Sequence, residues 1–239
     1  LNLGQGFASS IDARSNGGQV AQSGALSVLG ALSVDAGAGD VVLDRADNDF
    51  RGALSLRGAN ISVAAGGDLS VSTLVNGVNG AVSLVAGGVL SLSGTAIDTG
   101  SAGLALASNG GALDVSGSLR GGEVSLAGRD GISLAADVSA ANVLKVSSKA
   151  SVLQTSGVVT AGTLTGRVDG DATLGGSNLI GAVGDFSVGL GNAGGLLLSG
   201  IFVSSAVSRL RFFGSTPNAA RNMLEDLGLV TFIAIVGIN

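Results

Sequence analysis

Leu54-Ser55-Leu56, Ile61-Ser62-Val63, Leu69-Ser70-Val71, Val82-Ser83-Leu84 and Leu90-Ser91-Leu92 follow one another between residues 54 and 92. In each triplet two aliphatics flank one serine. Side chains on a strand alternate faces with a period of two, so the aliphatics share one face and the serine takes the other. The pattern continues in Leu104-Ala105-Leu106, Leu113-Asp114-Val115, Val124-Ser125-Leu126 and Ile132-Ser133-Leu134. Each triplet reads as a minimal half-buried strand.

These strands fall into three interleaved series. The first starts at Val41, Ile61, Val82, Leu104, Val124, Val143, Leu164 and Phe186; the second at Leu69, Leu90, Leu113, Ile132, Val152 and Thr173; the third at Leu32, Leu54, Val75, Ile97, Leu119, Val138, Val158 and Leu179. Successive starts within a series lie 19 to 23 residues apart. A hairpin meander gives no reason for a threefold beat, whereas a coil with three sides gives it directly. The expected fold is therefore all-β, a right-handed parallel β-helix of about twenty residues per coil, with each side stacking on its equivalent in the next coil. Eight or nine coils at about 4.8 Å each make a rod on the order of 40 Å long. Between first-series and second-series strands lie Ala65-Gly66-Gly67-Asp68, Ala86-Gly87-Gly88, Asn109-Gly110-Gly111 and Ala127-Gly128-Arg129-Asp130-Gly131. Glycine is expected there to supply the positive φ of a sharp corner.

Composition supports an ordered chain: 46% of the 239 residues are hydrophobic, 12% are charged, and the net charge is only −5, whereas disorder needs low hydrophobicity and high charge. The core must be aliphatic, since aromatics make up 3% and Trp and Tyr are absent. Histidine and cysteine are absent too, which removes the common nucleophile–base pairs, thiol chemistry and most zinc sites. No enzyme and no cofactor is expected. Nucleic acid is a poor partner for an acidic chain without basic clusters. Residues 1 to 30 show no basic start followed by an apolar run, so the chain reads as a piece of something longer, and neighbouring β-helix segments of that longer chain are its expected partners.

The Leu-Ser-Val strands between Ala-Gly-Gly-Asp corners resemble the repeats of filamentous-haemagglutinin-type exoproteins, the adhesins of two-partner secretion systems. The likeness is sharpest in Ser151-Val152-Leu153-Gln154-Thr155-Ser156-Gly157, Ala161-Gly162-Thr163-Leu164-Thr165-Gly166 and Ile180-Gly181-Ala182-Val183-Gly184-Asp185-Phe186. The resemblance covers residues 20 to 200. It implies a secreted bacterial surface adhesin in which this region is a structural stalk segment, mediating attachment to host or bacterial surface ligands or presenting other domains. The alternative is a carbohydrate-binding or polysaccharide-degrading β-helix protein.

Candidate sites are few. The run Asp44-Arg45-Ala46-Asp47-Asn48-Asp49 falls where a second-series strand is due, and Asp44, Asp47 and Asp49 are a weak calcium candidate. The run lacks the Gly and the terminal acid of an EF-hand loop, so the expectation is a solvated excursion and no metal. Ser62, Ser83 and Ser125 form an outward column, expected to be a flat, solvated polar face. A polysaccharide-cleaving site needs clustered acids with basic groups, but Lys145 and Lys149 are the only lysines and the acids are scattered over corners.

Past Gly200 the repeat breaks, and four of the seven Phe (Phe202, Phe212, Phe213, Phe232) lie there. The expected division is a β-helix over residues 1–200 and a Phe-rich cap over 201–239. Thr216-Pro217 reads as a helix start, Asn218 to Leu227 as a short helix and Gly228 as its stop. Leu229 to Ile238 is too short to span a bilayer as a helix, and no membrane span is expected.

Overall fold

The computed structural model describes residues 1–189. Within them all regular structure is β, and every strand pair is parallel. Nine coils follow one another. The first holds β1 (Gly6–Ala8), β2 (Ile11–Arg14) and β3 (Val20–Ala21); the second β4 (Leu26–Val28), β5 (Leu32–Asp35) and β6 (Val41–Leu43); the third β7 (Asp49–Phe50), β8 (Leu54–Gly58) and β9 (Ile61–Ala65). The fourth holds β10 (Leu69–Asn76) and β11 (Val82–Ala86); the fifth β12 (Leu90–Leu92), β13 (Ile97–Asp98) and β14 (Gly103–Ser108). The sixth to ninth hold β15 (Leu113–Val115) and β16 (Leu119–Gly128), β17 (Ile132–Leu134) and β18 (Val138–Ser148), β19 (Val152–Gln154) and β20 (Val159–Val168), and β21 (Ala172–Thr173) and β22 (Leu179–Val188). Residues 201–239, where a cap and a helix are expected, lie outside the described residues.

Three faces result, as the threefold beat requires. Face one stacks Val20, Val41, Ile61, Val82, Leu104, Val124, Leu144 and Leu164 in register. Face two stacks Leu69, Leu90, Leu113, Ile132, Val152 and Ala172. Face three stacks Ile11, Leu32 and Leu54, and further on Ile97, Leu119, Val138 and Val159. These inward columns make one aliphatic core in which Leu43, Leu54, Leu84, Leu90, Leu113 and Leu126 are wholly buried. Stacking is what makes each coil stable, because a lone coil has too little apolar surface to offset the entropy of ordering it.

Several series starts move, most of them by one residue where a pair of adjacent aliphatics or a weak strand end leaves two choices, and the last of the first series by three. Leu144 rather than Val143 stands opposite Val124, and Val183 rather than Phe186 opposite Leu164. Val159, not Val158, continues the column of Val138, and Ala172 rather than Thr173 follows Val152. Leu74 pairs with Leu56 and is buried, whereas Val75 is 50% exposed. A one-residue slip reverses faces, and where two aliphatics adjoin, alternation alone cannot choose between them.

Glycine at the face one to face two corners serves closeness rather than positive φ. Gly66, Gly87 and Gly110 all have ordinary negative-side backbone, and only Gly131 of the expected corner glycines has a left-handed value, φ 126°. A Cβ on Gly87 would overlap the carbonyl oxygen of Gly66, and one on Gly110 that of Gly87. The backbone ladder continues around this corner, with the Gly87 N–H donating to Ala65 O at 2.8 Å and the Asn109 N–H to Ala86 O at 2.8 Å.

Candidate functional site: polar corners and a groove on face one

Polar corner residues satisfy the backbone of the next coil. Asp40 Oδ1 accepts the Asn60 N–H at 3.1 Å, and Asn60 Oδ1 in turn accepts the Ala81 N–H at 2.9 Å. Asp68 accepts from the Val89 N–H and Asp137 from the Val158 N–H, both at 2.8 Å. A side-chain oxygen here stands where a carbonyl would otherwise complete the ladder. The scattered corner acids therefore have structural employment.

The acidic run does not assemble a cation site. Asp47 accepts from Arg45 Nε at 3.3 Å and Asp49 from Arg51 Nε at 2.9 Å, while Asp44 is exposed. Among the described residues no three acidic groups gather as metal ligands. Nor is the run wholly a solvated excursion. Asn48 is 1% exposed, and Asp49–Phe50 forms β7 with Phe50 in the core. Asn48 Oδ1 accepts the Leu26 N–H at 2.9 Å, and its Nδ2 donates to Leu43 O at 3.1 Å, Ala64 O at 3.0 Å and Gln22 Oε1 at 2.9 Å. A second amide pair repeats the device: Asn178 donates to Gln154 Oε1 at 2.8 Å and accepts the Val159 N–H at 2.8 Å. The one sequence signal for both was a Gln followed about one coil later by an Asn, Gln22 with Asn48 and Gln154 with Asn178.

The other candidate is a groove of ≈ 570 Å³ along the outside of face one. Two outward columns line it, Asp40, Asn60, Ala81, Gly103, Glu123 and Val143 on one side of the inward column, and Val42, Ser62, Ser83, Ala105, Ser125 and Lys145 on the other. The three serines expected on a solvated face are half-buried, as are Ser33, Ser55, Ser70, Ser91 and Ser133 at the centres of other triplets, because each is flanked by the outward residues of the coils above and below. Ser125 and Lys145 adjoin in register. Lys145 is exposed, whereas a lysine that activates a serine is desolvated. Chemically the groove is suited to contact. Elsewhere Arg14, Arg45, Arg51, Arg57, Arg120 and Arg167 pair with aspartates, and the Arg167 pKa is raised, chiefly by its hydrogen bond to Asp169 at 2.6 Å.

Compared with known proteins, residues 1–57 match a family described as "Repeats of unknown function (DUF5649)", and residues 155–239 match one described as "Predicted Permease Membrane Region". The chain is 85% identical over 52 residues to an "uncharacterized transporter" of Bordetella parapertussis and, equally, to one of Bordetella bronchiseptica. That stretch is 22% of this chain and 9% of each relative. No solved structure matches. These findings overturn the resemblance to filamentous-haemagglutinin-type exoproteins. With it go the adhesin role, two-partner secretion and the secreted or surface location, and the carbohydrate-binding alternative is unsupported. The physical reason is that alternating aliphatics with glycine corners are what any tightly stacked solenoid requires, so they identify the coil and not the family.

The permease match begins at Thr155, inside the solenoid. β20 and β22 lie within the matched range, yet they continue the registers of β18 coil upon coil.

Proposed function

We propose that this chain is part of a membrane transport protein, in which a β-solenoid is joined to a segment of a permease membrane region. The observation that carries the reading is the permease-region match over residues 155–239. Sequence chemistry supports it. From Gly189 to Ser208 no residue is charged, and the stretch mixes Leu, Ile, Phe and Val with Gly, Ala and Ser. About twenty uncharged, mainly apolar residues suffice to cross a bilayer as a helix, and small residues are what membrane helices use to pack closely. Arg209 and Arg211 follow at once, which puts that end on the cytoplasmic side by the positive-inside rule. Among the described residues no helix is long and apolar enough to cross. The solenoid acts as a rigid, non-catalytic body carried by the transporter.

Fractionation tests this. The full chain is expected to stay in the membrane pellet through an alkaline carbonate wash, and the double variant Leu197→Asp/Ile201→Asp to leave it. Recovery of the unaltered chain in the wash would sink the proposal.

A further inference from the structure

The outward positions of face one differ from those of face three. Face three presents Arg14, Asp35, Arg57, Asp98 and Arg120 to solvent, while the middle of face one presents Ala81, Ser83, Gly103 and Ala105 between half-buried Ser62 and Ser125. Among the described residues nothing covers this small-residue strip. The strip is also nearly palindromic along the solenoid axis. A centre between coils four and five exchanges Ala81 with Gly103, Ser83 with Ala105, Ser62 with Ser125 and Asn60 with Glu123.

We propose that this strip receives a second copy of the chain, packed face to face about a two-fold axis that lies in the contact plane and crosses the solenoid axis between coils four and five. A self-complementary patch is what such symmetry demands. Under that operation small residues meet small residues at the centre and the sheets approach closely. At the ends Asn60 of one copy meets Glu123 of the other, and Lys145 reaches Asp40. Lys145 and Asp40 are opposite in charge, the Asn60 amide can donate to the Glu123 carboxylate, and among the described residues neither Glu123 nor Lys145 has an ion-pair partner within its own chain. Six coils of about 4.8 Å by five residues of about 3.3 Å give about 480 Å² on each copy. The total is near the lower bound for a specific interface, about 1,000 Å². The contact is therefore weak and reversible, and it is independent of the transport reading.

The chain has no cysteine, so introduced thiols report the contact directly. Ser62→Cys/Ser125→Cys in the full chain, treated with a short bismaleimide that spans two sheets about 10 Å apart, should give a covalent dimer on a denaturing gel. Either single variant should stay monomeric, because a residue and its own symmetry mate lie three coils out of line. Ala105→Arg in the double-cysteine background should abolish the cross-link while leaving the melting temperature unchanged. Lys145→Glu should weaken it, and adding Asp40→Lys should restore it. Equal cross-linking of single and double variants, or none in the double, overturns the proposal.

Discussion

The corner between face three and face one is built in two ways along the same molecule. In coils two to five it is a turn whose backbone donors and acceptors are met by side chains: Asp40 and Asn60 in sequence, Asn79 accepting the Ser101 N–H at 3.0 Å, and Thr99 Oγ1 donating to Ala102 O at 3.0 Å. In coils six to nine the chain never leaves the sheet. β16, β18, β20 and β22 run 10 or 11 residues around the corner, absorbing the bend in a register shift such as that between Gly121 and Glu123. The same coil closes by local side-chain chemistry at one end and by backbone alone at the other. A bulge needs only one extra residue and a tolerant site, which Gly121-Gly122, Ala141-Asn142 and Ala161-Gly162 supply. The consequence is that the early coils depend on particular polar residues and the late coils on strand continuity.

Core truncation gives the largest effect and the strongest challenge to that contrast. Leu43→Ala in β6 and Leu126→Ala in β16 remove equal, fully buried side chains, so each should cost about 3 kcal/mol in chemical denaturation. Hydrogen exchange should nonetheless differ, rising only in the first three coils for Leu43→Ala but along β14 to β20 for Leu126→Ala. Matching spreads would erase the distinction. Asn48→Ala comes next, at about 2 to 3 kcal/mol, because it strands the Leu26 N–H and two buried carbonyls. Calorimetric melting is the readout, and a loss under 1 kcal/mol would show that water replaces the amide. Asn60→Ala should cost about 1 kcal/mol, whereas exposed Asn142→Ala in the bulge of β18 should fall within about 0.5 kcal/mol of zero; equal costs would mean that both corner types need their side chains. Smallest is Arg120→Asp opposite Asp98, now paired at 3.2 Å on the surface. A loss of about 0.5 kcal/mol is expected, shrinking in high salt.

The threefold beat was legible because period-two triplets cannot be laid out every twenty residues on three faces in any simpler way. Register was legible where a triplet stood alone, as at Val82-Ser83-Leu84, and ambiguous where Leu74-Val75, Val143-Leu144 or Val158-Val159 offered two inward candidates. Asn48 was hidden by its acidic neighbours, since composition marked the segment as solvent-facing while one amide in it turned inward to four partners. The corner glycines were located correctly but for the wrong physical reason: what excludes a side chain is the coil below, which a linear reading does not see. The groove escaped for a related cause. Ser62, Ser83 and Ser125 were visible as a column, but Ala81 and Gly103 on the other side of the inward column stand just before the triplets, where no alternation draws attention. The resemblance was misread because the repeated strands report stacking and not ancestry.

Stacked registers also set how this molecule can vary by insertion and deletion. Each coil passes the same three columns to the next, so removing or duplicating one whole coil leaves the flanking coils with complementary neighbours. A single inserted residue inside a strand would instead turn a leucine outward. The excursions at Asp44–Asp47, Gly77–Gly80 and Thr99–Ala102 stand between strands, so an added residue there would leave the strand registers in place, whereas the number of coils can change only in whole steps.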